Sequence, residues 1–389
     1  MRPGPRTRTI LSLGTAQTLA WGSTYYLPAI LAMPMARDLG VSVGLVFGAF
    51  SAALIVAAFL GPAAGRRIDL RGGRDVLAAS NLVFAAGLVL LGLSDGPVPL
   101  VAGWLIIGAG MAMGLYEAAF STLAGIFGRE ARGAITGITL LAGFASTICW
   151  PITAYLEAVF DWRTACFVWA AAHLLLGLPL NRFLVPLGTQ PAPPLSENRR
   201  PGASAPTLGL VLLAFVFTVT WFTSTAMAAH LPRLLQDAGA SPAAAVAAAA
   251  LVGPAQVAAR AFEYVLLQRF HPLLSAKLAA IAHPIGALGL MIAGAPAAVF
   301  FTLLHGAGNG ILTIAKGTLP LAIFGPAGYG LRQGLLMVPA RFGQAVAPFT
   351  FALLIERFGV FALILSGALG LAALGALCLL NPNMQAEQT

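Results

Sequence analysis

Long apolar stretches separated by short polar segments dominate the chain. An α-helix needs about 20 apolar residues to cross the hydrocarbon core of a bilayer, so each stretch is predicted to be one transmembrane span. The positions of Ser42 and Ser241 predict N-caps for two of these helices. The twelve predicted spans are residues 9–33, 42–64, 75–93, 98–125, 133–157, 163–184, 207–230, 242–268, 274–293, 297–324, 331–355 and 358–380.

One long polar segment, residues 185–206, interrupts this pattern and is rich in Pro, Gly and Ser. Such a composition is typical of a flexible linker. It predicts an N-terminal six-helix domain over 1–184 and a C-terminal six-helix domain over 207–389. The chain is 59% hydrophobic and only 9% charged, whereas a soluble domain carries about 25% charged residues. The apolar surface must therefore face lipid, and an all-α membrane protein is predicted.

The net charge of +9 would suggest a nucleic-acid partner in a soluble protein, but here the basic residues lie in short loops. No nucleic acid, metal or cofactor is expected, and the three cysteines lie in apolar stretches. Four basic residues lie on one side: Arg37, Arg163, Arg233 and Arg357. Fifteen lie on the other: Arg2, Arg6, Arg8, Arg66, Arg67, Arg71, Arg74, Arg129, Arg132, Arg182, Arg199, Arg200, Arg269, Lys277 and Arg332. The positive-inside rule predicts that both termini lie in the cytoplasm. The predicted location is the inner (plasma) membrane of the cell.

The two halves also resemble each other in sequence. Matching pairs are Gly108-Ala-Gly110 with Gly306-Ala-Gly308, Gly133 with Gly330, Gly137 with Gly334, and Pro151 with Pro348. Repeated halves are typical of transporters, whose substrate site lies between the halves near the bilayer midplane. A membrane enzyme or receptor has no comparable need for them.

The loop between spans 2 and 3 carries Gly65, Asp69, Gly72 and Arg74. Their spacing resembles the signature loop of the major facilitator superfamily (MFS). The resemblance implies two pseudo-symmetric six-helix bundles that rock around a central cavity. It also implies that these four residues act in gating. The sequence departs from many drug antiporters of the family at Trp104, where those have Arg, and at Trp150, where they have Gly.

Ionisable side chains inside the spans are the main candidates for chemistry, because each costs at least about 2.5–3.5 kcal/mol at the bilayer centre. The predicted substrate-binding residues are Arg341, Arg260, Glu117, Trp21, Trp221, Asn309 and Gln344. The predicted coupling or gating residues are Asp69, Gly65, Gly72, Arg74, Glu263, His305 and Lys316. Two simpler interpretations stay open. Lys316 could extend to the headgroups, and Glu263 could neutralise Arg260 three residues away.

Three cations against two carboxylates inside the spans favour an anionic substrate. An Arg in span 8 together with a basic residue in span 11 resembles the arrangement in oxalate:formate antiporters, and Arg260 with Glu263 resembles the Asp/Arg pair of monocarboxylate transporters. The predicted function is secondary transport of a small organic anion by a monomer, with proton coupling and exchange both left open. The alternative is an efflux pump for drugs, metabolites or a toxic oxyanion such as an arsenical. An enzyme is not expected, because the five histidines are scattered.

The charge asymmetry predicts which loops a membrane-impermeant thiol reagent reaches in intact cells. Single cysteines at Asp95 and Asp237 should react from outside, whereas Ser196→Cys should react only after the membrane is opened. Labelling of Ser196→Cys from outside would overturn the predicted orientation.

Overall fold

The computed structural model describes residues 4–187 and 207–380, and the regular secondary structure of these residues is helical. Nine helical stretches in this part of the chain are long and apolar enough to cross a membrane. Two of them, Pro97–Val159 and Tyr329–Leu379, each contain two predicted spans. Predicted span 1 is a further helical segment, Pro5–Asp38 with a short turn inside it. The prediction of an all-α, twelve-span membrane protein is confirmed.

The helices that precede the linker include several short segments. The α-helices are α1 Pro5–Ala20, α2 Pro28–Asp38, α3 Val43–Arg71, α4 Arg74–Gly92, α5 Pro97–Gly114, α6 Tyr116–Phe127, α7 Ala131–Ala142, α8 Ala145–Val159 and α9 Trp162–Ala172. π-Helical turns span Trp21–Tyr25, His173–Gly177 and Leu180–Leu184, and a 3-10 turn spans Gly128–Glu130. The Ser42 hydroxyl accepts a hydrogen bond from Leu45 N at 3.1 Å and caps α3 as predicted.

The helices that follow the linker are longer on average. They are α10 Thr207–Asp237, α11 Pro242–Ala249, α12 Val252–Val265, α13 Pro272–Ala293, α14 Ala298–Phe324, α15 Tyr329–Phe358 and α16 Leu363–Leu379. 3-10 turns span Leu267–Arg269, Ala295–Ala297 and Gly359–Ala362. Ser241 caps α11 through Ala244 N at 3.3 Å, again as predicted.

The described helices form two compact units. The first contains the helices as far as Leu184 and, in addition, the segment Pro326–Leu335. The second contains the helices from Thr207 to Gly325 and the chain from Leu336 onward. The predicted linker 185–206 lies outside the described residues except for its first three. The predicted domain boundaries therefore stay a prediction.

Glycines bring the helices of the first unit into close contact. A methyl group on Gly108 of α5 would overlap the backbone of Ala53 in α3. One on Gly110 would come within 2.6 Å of the ring of Phe84 in α4. Small residues let helix backbones approach closely in a membrane, so α5 packs between α3 and α4.

The matching glycines of the second unit have the same two roles. A methyl group on Gly306 of α14 would lie 2.8 Å from the carbonyl oxygen of Val252 in α12. One on Gly308 would lie 2.7 Å from the carbonyl oxygen of Ala279 in α13. The sequence repeat therefore corresponds to a repeated packing arrangement inside each unit.

Asp38, at the end of α2, joins three segments of the first unit. Its carboxylate pairs with the Arg163 guanidinium and accepts a hydrogen bond from Trp162 Nε1 at 3.1 Å. Arg163 also donates to the carbonyl oxygen of Ser94 at 2.9 Å. The Arg163 hydrogen bond, and next the Trp162 hydrogen bond, hold the pKa of the Asp38 carboxyl below its usual value.

Predicted span 4 is broken at Leu115, where the backbone is extended between α5 and α6. In a continuous helix Ala118 N–H would reach Gly114, but here it bonds to Leu115 O at 3.1 Å. The buried side chain of Gln17 donates to Gly114 O at 2.7 Å instead. Because the hydrocarbon core offers no water, a carbonyl released by a helix break needs such a partner.

We expect Gln17→Leu to destabilise the first unit by about 1–3 kcal/mol, since the Gly114 carbonyl would be left buried without this donor. Thermal unfolding of the purified protein measures the effect as a lower melting temperature. Thr122→Val is the matched control, because the buried Thr122 hydroxyl bonds to Ala118 O in its own helix at 2.7 Å. A larger loss of stability in the control than in Gln17→Leu would contradict this assignment.

Candidate functional site

The signature-loop residues lie at the end of α3 and the start of α4, and Asp69 binds the first turn of α15. The Asp69 carboxylate accepts hydrogen bonds from Gly330 N and Leu331 N, both at 2.8 Å. These amides are at the N-terminus of α15, where backbone N–H groups lack helical partners and the helix dipole favours a negative charge. Asp69 therefore caps a helix more than 250 residues away in the sequence.

Glycines allow this contact. A methyl group on Gly65 would overlap the carbonyl group of Gly330, and one on Gly334 would lie 2.6 Å from Pro62 Cα. The predicted gating residue Gly72 ends α3 with a φ of +79°, a value that favours glycine. The predicted gating residue Arg74 begins α4, and its Nε lies 3.5 Å from Asp75 Oδ1.

The first unit also contains the predicted substrate residues Trp21 and Glu117. Trp21 lies in the π-helical turn after α1, is 3% exposed, and has Tyr25, Tyr26 and Tyr116 around it. The ring centroids lie 5.1, 6.2 and 4.9 Å from that of Trp21, respectively. Glu117 is half-buried in the first turn of α6, directly after the break at Leu115. The carboxylate of Glu117 therefore directly follows Tyr116, which belongs to the aromatic cluster around Trp21.

The second unit brings four of the predicted residues together around one indole ring. Lys316 Nζ of α14 lies 3.6 Å from the ring centroid of Trp221, and the Arg341 guanidinium of α15 lies 5.5 Å from it. Arg341 also donates from Nη1 to Gln344 Oε1 at 3.1 Å. All four side chains are buried. We call Trp221, Lys316, Arg341 and Gln344 the cation cluster.

Lys316 therefore lies inside the unit. A cation within about 6 Å of a tryptophan face is attracted by the ring quadrupole, and this attraction is stronger when the pair is desolvated. Two cations on one indole also repel each other, so the cluster concentrates positive potential around Trp221.

Arg260 and Glu263 are buried on α12, which packs against α14. Arg260 donates to the carbonyl oxygen of Gly310 at 3.4 Å and to Gln256 Oε1 at 3.2 Å. The two other predicted residues on α14, His305 and Asn309, line a small cavity elsewhere in the unit.

Two features were not predicted from the sequence, namely the contacts of His283 and Ser366 and the backbone amides that Asp69 binds. His283 and Ser366 lie in spans 9 and 12, whose interiors carry no charged residue. His283 Nδ1 nevertheless lies 3.0 Å from His305 Nδ1, and its Nε2 lies 2.9 Å from Ser366 Oγ. The signal was a polar ring in an apolar span. The backbone partners of Asp69 had no side-chain signal at all.

The long apolar helices define a multi-pass membrane protein. The family model of the Major Facilitator Superfamily matches residues 13–302, so the chain belongs to that superfamily. It is a secondary transporter and not an enzyme. The signature loop, Arg260 and Glu263 lie within the matched region, whereas Lys316 and Arg341 lie beyond its end.

Solved structures of the superfamily share the fold across nearly the whole chain. The transporter FucP, in the outward conformation, superposes with a TM-score of 0.76 at 15% identity, over 96% of this chain and 99% of that one. The proton:xylose symporter XylE, bound to 6-bromo-6-deoxy-D-glucose, gives 0.73 at 14% identity, over 95% of both chains. The human organic anion transporter MFSD10 (TETRAN) gives 0.69 at 16% identity, over 97% and 100%.

One relative in sequence is an uncharacterised 38 kDa protein in the 23S RNA operon of Thermoproteus tenax. The two chains are 32% identical over 153 residues, which is 39% of this chain and 40% of the relative. The alignment thus spans less than half of either protein.

The Asp69 contact predicts how fast the backbone amides of Gly330 and Leu331 exchange with solvent. Asp69→Asn removes the charge that accepts both hydrogen bonds, a loss of about 1.5–3 kcal/mol, and should speed exchange roughly 10- to 100-fold. Gly65→Ala should act in the same direction, because the methyl group separates α3 from α15. Hydrogen–deuterium exchange with mass spectrometry of the peptide that contains both amides measures the change.

The matched control is Asp75→Asn, since Asp75 is an exposed acid of the same loop whose carboxylate faces Arg74. Exchange at the two amides should match the wild type in this variant. Equal protection in Asp69→Asn and the wild type would show that Asp69 does not hold the α15 N-terminus.

Proposed function

We propose that this transporter moves a small organic anion by alternating access, with the cation cluster as the anion-binding site. The observation that carries the proposal is the presence of two buried cations, Lys316 and Arg341, around the single indole of Trp221. A carboxylate between them would be attracted by both, and the apolar ring would contact the organic part of the substrate.

The charge balance of the second unit supports an anion over a cation. Its described span interiors carry the cations Arg260, Lys316 and Arg341 against the single carboxylate Glu263. Each charge is expensive to hold in the hydrocarbon region. A net positive interior is therefore more stable with a bound anion, and it disfavours a cationic ligand by like-charge repulsion.

The chemistry of arginine makes Arg341 the residue that selects a carboxylate. Its planar guanidinium can form two parallel hydrogen bonds with the two oxygens of a carboxylate, whereas an ammonium acts as a point charge. Gln344 accepts one guanidinium N–H at 3.1 Å and so orients the group. The amide of Gln344 is itself a further candidate for hydrogen bonds to the substrate.

The remaining predicted residues complete the proposal. Arg260, Glu117, Trp21 and Asn309 are proposed to contribute to substrate binding, and Glu263 to coupling. Asp69 and its loop act as a gate through the α15 N-terminus. The transporter works as a monomer in the plasma membrane with both termini in the cytoplasm, and transport is coupled to protons or proceeds by exchange. The human relative in fold is described as an organic anion transporter.

The second candidate function is efflux of drugs, metabolites or a toxic oxyanion such as an arsenical. The aromatic cluster of Trp21, Tyr25, Tyr26 and Tyr116 favours efflux of drugs, because aromatic faces bind flat and cationic compounds. A thermal-shift screen of the purified protein separates transport of carboxylates from efflux of cationic drugs. Acetate, lactate, oxalate and succinate should raise the melting temperature, whereas cationic dyes should not.

Substitutions at Arg341 test the anion site. We expect Arg341→Lys to keep the fold and weaken binding of the stabilising carboxylate about tenfold, because the charge remains but the paired hydrogen bonds are lost. Arg341→Gln should weaken it about 100-fold or more. Calorimetric titration of the purified variants measures the affinities, and their melting temperatures report on folding.

Arg357→Gln is the control, because Arg357 is an exposed cation on the same helix. Its affinity should equal that of the wild type. A folded Arg341→Gln variant that binds the carboxylate with wild-type affinity would rule out this site.

A further inference from the structure

A small cavity lies inside the second unit among α10, α13, α14 and α16. Its volume is about 40 Å³, which is enough for about three water molecules. The polar side chains on its wall are Thr220, Thr223, Ser224, His283, His305 and Asn309. The rest of the wall is formed by apolar residues and glycine.

A chain of hydrogen bonds runs from this cavity to the backbone of α16. His305 Nδ1 lies 3.0 Å from His283 Nδ1, and His283 Nε2 lies 2.9 Å from Ser366 Oγ. Ser366 in turn donates to the carbonyl oxygen of Leu363 at 3.2 Å. Both imidazole rings and Ser366 are buried.

The hydrogen-bond partners determine which nitrogen atom of each imidazole ring carries the proton. The single hydroxyl proton of Ser366 goes to Leu363, so Ser366 Oγ accepts from His283 Nε2–H. A neutral His283 then carries a lone pair on Nδ1 and accepts from His305 Nδ1–H. The lone pair of His305 is consequently on Nε2. The network thus assigns His305 Nε2 as the basic atom of the pair.

This arrangement accommodates one additional proton and resists a second. When a hydronium ion in the cavity transfers its proton, the new N–H bond forms at His305 Nε2 and a water molecule is left. The imidazolium still donates from Nδ1 to His283, and the charge strengthens that bond. A second proton would have to bind His283 Nδ1, where two N–H groups would face each other at 3.0 Å.

The two histidines are the titratable side chains that line the cavity. The other titratable or charged side chains on the surrounding helices do not line it in the described part of the chain. They are His230, Arg233 and Asp237 on α10, Lys277 on α13, Lys316 on α14, Cys378 on α16, and Arg260, Glu263 and Tyr264 on α12, which packs on α14.

We propose that the His305–His283 pair is a one-proton binding site that couples proton movement to the transport of the anion. The coupling role rests on the proposed function, because it takes the cation cluster as the anion site. The proton site itself rests only on the cavity and the hydrogen-bond chain.

The spacing of the two sites gives the sign of the coupling. His305 and Lys316 are eleven residues apart on α14, which corresponds to about 16 Å along the helix axis. An anion at the cation cluster attracts a proton at His305, and at an effective dielectric constant near 20 the gain in affinity is roughly fivefold. By linkage the proton strengthens anion binding by the same factor. Proton and anion therefore bind together and move in the same direction.

Nuclear magnetic resonance of the purified protein with ¹⁵N-labelled histidine tests the proton site between about pH 8 and about pH 4. The signals of His283 and His305 should change together in one step that corresponds to one proton. The carboxylate from the thermal-shift screen should move this step to higher pH. His305→Gln should abolish the step, whereas His230→Gln should retain it, because the His230 ring bonds to Pro348 O at 2.8 Å outside the cavity.

Ser366→Ala is a second variant that keeps both rings. It removes the acceptor that polarises His283, so the joint step should move to lower pH. Rings that stay neutral over the whole range, or a His283 step that is unchanged in His305→Gln, would overturn the proton site. A joint step in a protein that binds no carboxylate would support the proton site and remove the proposed anion function.

Discussion

The hydrocarbon core supplies no water, so the chain must satisfy its buried polar groups from its own residues. This constraint explains three buried contacts inside the two units. Gln17 supplies the hydrogen bond that Gly114 loses at a helix break. Asp69 supplies the acceptor for two amides at the start of α15. Trp221 supplies an electron-rich face to the buried cations Lys316 and Arg341.

Local patterns in the sequence predicted the features that local patterns determine. Hydropathy predicted the spans, and the positions of Ser42 and Ser241 predicted two N-caps that the structure contains. The break at Leu115 was not predicted, because no proline marks it and its stability depends on Gln17, almost 100 residues earlier. The pairing of His283 with His305 was not predicted either, since the two rings lie in different spans and their contact depends on how α13 packs against α14.

The buried charges were predicted as candidates, but their arrangement was not. An ionisable residue in an apolar span is visible in sequence, whereas its distance from Trp221 depends on how three helices pack. The packing partners of the repeated glycines were likewise not predictable from the sequence. They indicate close packing, but only the structure shows that Gly108 faces α3 and that Gly306 faces α12.

Two helices connect the proposed events of transport. α15 carries the amides bound by Asp69 in its first turn and Arg341 of the cation cluster eleven residues after Gly330. α14 carries Lys316 of the same cluster and His305 of the proton pair. A movement of either helix would therefore change a gate or a proton site together with the anion site. The shared helices give the Asp69 gate, the cation cluster and the histidine pair a common physical basis for coupling.

The central claim is that the substrate is a small organic anion. Counterflow in proteoliposomes tests it most directly. Vesicles are loaded with an unlabelled carboxylate, and external radiolabelled carboxylate is followed in the absence of any ion gradient. The account predicts transient accumulation of the label, which is lost when Arg341 is replaced by Gln and kept when Arg357 is. Accumulation of cationic or neutral compounds with no accumulation of any carboxylate would contradict it.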